Sequence, residues 1–142
     1  MGTADDAAAY ILNKLGAITA MKLQKLLYYS QAWSLVWDDH PLFDERIEAW
    51  ANGPVIPAIY EQHRGQYLVT EWLAGNPGNL GSDAIETIDA VLKVYGDKSS
   101  QWLSDLTHKE APWRDARLGI PTGVPCKQEI TQASMAEYYG SL

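Results

Sequence analysis

Cysteine and phenylalanine each occur only once in this 142-residue chain. With Cys126 alone no internal disulfide can form, and a zinc site would have to draw mostly on other ligands. Basic residues are also scarce: 11 Lys and Arg stand against 18 Asp and Glu, giving a formal charge of −7 and a pI near 4.8. That balance opposes a phosphate backbone, whose affinity for proteins rests mainly on cations that displace counterions, so direct nucleic-acid binding is disfavoured. No apolar run approaches the roughly 18 residues of a membrane span, and no basic region precedes the short apolar N-terminal segment. The expectation is a cytoplasmic protein, neither exported nor embedded in a membrane. A glycine-rich phosphate loop and a G-x-S-x-G elbow are both missing, which removes the usual signs of nucleotide-dependent and hydrolytic chemistry.

What the chain does have is apolar and aromatic material: 46% hydrophobic residues, six Trp and eight Tyr. A chain of this size buries roughly 68–70% of its unfolded surface, enough for a core without staples. Residues 5–15 place Ala8, Ile11, Leu12 and Leu15 on one helical face, with early aspartates at the positive end and Gly16 to stop it. Thr19 is placed to cap a longer helix reaching about Trp37. On that helix Leu23, Leu26, Leu27, Ser30, Ser34 and Trp37 form one stripe, and Met21, Tyr28, Tyr29, Ala32, Leu35 and Val36 form another. Lys22, Gln24 and Gln31 are left on narrow flanks. A helix apolar on two sides is buried between layers, and Lys25, inside the second face, must reach solvent or find a partner.

Further along, ERIEAW alternates as a short strand, and Pro57 opens a helix to about Arg64. QYLVTEW has the β-branched and aromatic content of a second strand. Asp83 with Glu86 resembles a capping pair for a helix to Tyr95; Ser99 or Ser100 starts another, which EAPW interrupts; Thr131 caps the last. The fold expected is mainly α: one compact helical domain over residues 1–142 around a buried central helix, with a small two-stranded β element.

Candidate chemistry is sparse. HKE at 108–110 with PCKQE at 125–129 partly matches a zinc deaminase signature, but position 129 is glutamate and the second cysteine is missing. No two of His40, His63 and His108 have the i, i+4 spacing of paired metal ligands. Asp105 lies one helical turn before His108 and is placed to orient its imidazole, with Glu110 adjacent, as a hydrolase-type alternative. Glu110 with Arg114, and Lys109 over Trp113, are possible local pairs. No cofactor or metal is expected.

Three segments taken in order resemble the Panacea or SocA-like antitoxin domain, also labelled phage-associated or GepA-like: MKLQKLLYYSQAW, PLFDERIEAWANGPVIPAIYEQHRG and LSDLTHKEAPWRDAR. The resemblance implies a bacterial or phage protein that neutralises a cognate toxin by direct binding, with no catalysis of its own. It also implies an alternative, delivery of the toxin to a protease as an adaptor, and it leaves the toxin's identity open. Its motif positions fall here on Leu23, Lys25, Leu26, Leu27 and Tyr28; on Glu48, Ala49, Trp50, Gly53 and Pro54; and on His108, Pro112 and Trp113. Most of these suit fold maintenance. Lys25, Glu48 and His108 suggest a polar cluster that either braces the fold or meets the toxin. With Tyr28, Tyr29, Trp50 and Trp113 they make up the candidate partner-binding set.

Overall fold

Helix α2 (Ala20–Trp37) is the axis of the molecule, and Thr19 caps it by accepting a hydrogen bond from the Lys22 amide. Its two apolar faces are covered from several sides. Helices α1 (Ala4–Leu15), α4 (Ser82–Tyr95), α5 (Ser100–Lys109) and α7 (Gln132–Gly140) all pack on it. This computed structural model describes residues 2–142. Leu23, Leu26, Leu27, Tyr28, Tyr29 and Ala32 are buried together with Ile11, Ile88, Leu103 and Met135 in one core. At the C-terminal end of α2 the first stripe runs out, and Trp37 is exposed and stacked on Trp33.

The flanks of α2 differ from their expected polarity. Gln24 and Gln31 are buried and act as clamps on backbone that has no ladder partner. Gln24 Oε1 accepts from the Ile56 amide (2.8 Å) while its Nε2 donates to the Ile56 carbonyl (3.3 Å). Gln31 Oε1 accepts from the amides of Leu42 (2.8 Å) and Phe43 (3.2 Å), and its Nε2 donates to the Phe43 carbonyl (2.8 Å). Inward-facing amides satisfy the irregular segments that cross α2, so they are buried for the same reason that such backbone must be paired.

Both expected strands form, but not with each other. Strand β2 (Ile47–Trp50) turns back on β3 (Gly53–Val55), with Glu48 opposite Val55 and Trp50 opposite Gly53. On its other edge it takes β5 (Glu129–Ile130), giving the order β3-β2-β5. Strand β4 (Leu68–Val69) instead pairs with β1 (Ile18–Thr19) ahead of α2. The tight turn before Gly53 supplies β2 with a local partner, and α3 (Pro57–His63) then carries the chain away. The expected Asp83–Glu86 pair is not used: Gly81 precedes α4 and makes no side-chain cap. Ser99 caps α5 and Thr131 caps α7, while Glu110 ends α5 and opens α6 (Ala111–Ala116), whose first turn holds Pro112.

Candidate functional site

Lys25 projects from α2 toward the β2–β3 turn and is completely buried. Its Nζ has no hydrogen-bond partner among the described residues. Gly53 closes over it: a Cβ there would lie 2.5 Å from Lys25 Cε, 3.1 Å from Nζ and 3.2 Å from Thr107 Oγ1. The backbone at Gly53 has φ +126°, a conformation that glycine alone adopts readily, so a residue without a side chain is required twice over. Burial pushes the Lys25 ammonium down to about 7, with no anion to hold the proton.

His108 lies on the α5 side of this turn. Its ring stacks on Trp113 at 4.0 Å and 12°, and its Nε2 is buried without a hydrogen-bond partner among the described residues. Burial lowers its pKa, helped by the nearby Lys25 and Arg117, against the Asn52 backbone and, to a smaller extent, Asp105, which favour the protonated ring. The Asp105 carboxylate accepts from Gln101 Nε2 at 2.8 Å. Trp113 donates from Nε1 to the Trp50 carbonyl at 2.8 Å, joining α6 to β2.

Glu110 leads away from His108, into the core. Its Oε1 accepts from the Tyr29 hydroxyl (2.6 Å) and from the Tyr139 hydroxyl (2.8 Å). With the Tyr139 proton engaged there, Tyr28 is the donor in the 3.0 Å bond between the Tyr28 and Tyr139 hydroxyls. Burial raises the Glu110 pKa, while the two tyrosine bonds favour the carboxylate and oppose that rise. The same burial drives the three phenols upward, so they remain protonated donors. Tyr95 stacks on Tyr29 at 4.3 Å. The knot fastens α2 and α7 to the α5–α6 junction.

The candidate set therefore divides. Lys25, Tyr28, Tyr29 and Trp113 are buried by the protein itself, whereas Glu48, Trp50 and His108 keep part of their surface. Glu48 Oε2 accepts from Arg46 Nε (2.8 Å) and Oε1 accepts from Trp50 Nε1 (2.7 Å). Lys25, Thr107 and Gly53 meet under one turn, and Trp113, with His108 stacked on it, reaches that turn through the Trp50 carbonyl; the side chains of Trp50 and Glu48 lie together on the other face of β2, where Arg46 also meets Glu48 and Glu129. The expected local pairs are replaced. Arg114 contacts Asp115 at 3.6 Å, Glu110 is taken by the tyrosines, and the cation over Trp113 is Arg117 at 4.8 Å. The Asp105 and Glu110 carboxylates are hydrogen-bonded elsewhere, to Gln101 and to Tyr29 and Tyr139, and not to His108.

Arg117 went unrecognised in the sequence, although it is the bulkiest fully buried side chain. It donates to the carbonyls of Ala49 (2.9 Å), Pro121 (2.9 Å) and Val124, holding the 117–125 loop against β2. Its spacing of four from Trp113 was the available signal, since i and i+4 share a helical face.

The outer side of α6, with β5 and α7, forms a groove of about 560 Å3. Pro112, Ala116 and Tyr138 are among its apolar lining, and Asp115, Glu129 and Glu137 bring carboxylates to it. Among the described residues, no helix is long and apolar enough to cross a membrane and no group of His, Cys, Asp and Glu gathers as a metal site.

The family model described as "Antitoxin SocA-like, Panacea domain" matches residues 23–114. The chain belongs to this antitoxin family. The match runs from α2 to α6 and so includes Lys25, Gly53, His108, Glu110 and Trp113. The SocA-like domain is also matched by antitoxin SocA of Caulobacter vibrioides (strain NA1000 / CB15N), 31% identical over 124 residues. That alignment covers 75% of this chain and 65% of the relative, so the chain spans less than two thirds of the relative's length. No solved structure matches this family member.

Proposed function

We propose that this protein neutralises a cognate toxin by binding it directly, without chemistry of its own, as a single cytoplasmic domain over residues 1–142. The observation that carries the reading is the relationship to an antitoxin across most of the chain. The separate engagement of Asp105, His108 and Glu110 supports a binding role over an acid–base one, because general catalysis needs such groups within mutual reach. The toxin is expected in the adjacent open reading frame. Expressed alone, that frame should arrest growth; co-expressed with this chain, it should be tolerated, and the two proteins should co-purify. Continued arrest on co-expression overturns the reading for that pair. Rescue that vanishes in a host lacking its ATP-dependent proteases replaces direct neutralisation with delivery for degradation.

A further inference from the structure

We propose that the groove between α6, β5 and α7 is the surface that receives the toxin, and that it takes a basic segment of that partner. This assignment rests on the antitoxin reading and adds the place and the chemistry of contact. The groove encloses about 560 Å3, and apolar Pro112, Ala116 and Tyr138 lie in its lining. Asp115, Glu129 and Glu137 give it three carboxylates, while no lysine or arginine lines it. Two of the carboxylates have loose, exposed cationic neighbours: Arg114 is 3.6 Å from Asp115 and Arg46 is 3.8 Å from Glu129. Glu137 has no ion pair among the described residues. An apolar floor with a rim of one sign fits an extended or helical segment whose lysines or arginines reach the rim and whose small apolar residues sit on the floor. The same charge repels nucleic-acid phosphates and opposes a second copy of this chain, which carries −7.

The groove is also held in shape before any partner arrives. Glu110 ties its α6 wall to α2 and α7, Trp113 anchors α6 to β2, and Thr131 caps α7 through the Ser134 amide. A preformed surface loses less freedom on binding. Residues of the family's third block thus act from beneath the surface. Pro112 is at the groove itself, while His108 and Trp113 position the helix that carries it.

The test uses the full chain and the toxic product of the adjacent reading frame. Glu129→Lys with Glu137→Lys should weaken binding on the order of tenfold or more and reduce its salt sensitivity, whereas Glu86→Lys on exposed α4 should leave both unchanged. Thermal unfolding checks that each variant folds. If the lysine pair does not, Glu129→Gln with Glu137→Gln keeps side-chain size and should weaken binding in the same direction by a smaller factor. Wild-type rescue with undiminished binding by both groove variants overturns the groove and leaves the antitoxin reading standing. Failure of the wild type to bind or rescue overturns both. A homodimer of the wild type that the groove variants disperse while toxin binding persists assigns the groove to self-association and also overturns the proposal.

Discussion

Lys25 places an amine where nothing accepts its hydrogens, beneath a glycine that leaves no room for a side chain. Unfolded, the amine holds its proton up to about 10.5; folded, it sheds it near 7. Between those values the unfolded state binds more protons, so stability rises with pH by up to roughly 1.4 kcal/mol per unit and falls as pH drops toward 7. The two histidines coupled to it, His63 and His108, do not produce this slope. Both are pushed below 6.5 by burial, outside the window in which Lys25 acts. The unfolded tyrosines are half-ionised at about 10 while the buried phenols keep their protons, so they act with the opposite sign and only at the upper end of the window. Lys25→Met is therefore expected to stabilise the fold at pH 7 by a few kcal/mol, on the order of 4, and to reduce the pH dependence, leaving the smaller part due to half-buried Lys22. Urea unfolding at pH 7 and 9.5 checks it; a destabilised Met variant that keeps the slope would show that Lys25 is not the source. A residue retained against such a penalty is a candidate for function, and toxin affinity of the same variant reads that separately.

Among the elements, α2 is held as much by polar clamps as by its leucines. Gln31→Leu would leave two amides and a carbonyl of the Leu42–Phe43 segment unpaired, at roughly 1–3 kcal/mol for each group that stays dry. The expected net loss is about 2–4 kcal/mol, with faster amide exchange confined at first to residues 42–43. Unchanged exchange there would show the clamp to be dispensable. The tyrosine knot predicts an order. Tyr28→Phe loses a bond between neutral hydroxyls, worth about 0.5–1.5 kcal/mol, and Tyr29→Phe loses a charge-assisted bond to Glu110, about 1.5–3 kcal/mol. Tyr139→Phe removes both a donor to Glu110 and the acceptor for Tyr28, so it should be the most damaging. Chemical unfolding of the three variants ranks them, and equal losses would mean that ring packing, not the carboxylate, governs the site.

For the molecule as a whole, the family match stops at residue 114, yet the core does not. Ile130, Met135 and Tyr139 are buried on β5 and α7, and α7 covers the tyrosine face of α2. A chain ending at Gln128 would lose the third strand, one donor to Glu110 and that cover. It is expected to lose its cooperative thermal transition; circular dichroism showing a sharp transition close to the full-length one would refute this. The same elements build the acidic groove, so truncation should also abolish toxin binding even where residual helix survives.

The sequence by itself determined the helices and several of their caps, because periodicity and capping depend on neighbours within a turn or two: Thr19, Ser99 and Thr131 stand where their sequence contexts place them, whereas α4 begins at Gly81 without the expected Asp83–Glu86 pair. It also marked Lys25, Glu48 and His108 as positions out of the ordinary, although Glu48 bonds to Arg46 and Trp50 and does not join the other two. Only the tertiary structure decided which strands pair, that Gln24 and Gln31 turn inward, that Glu110 meets tyrosines from α2 and α7, and that Arg117 closes the loop beside β2. Each of these joins groups far apart in sequence, and a polar side chain has no fixed preference for core or surface until the backbone or carboxylate that satisfies it is in place.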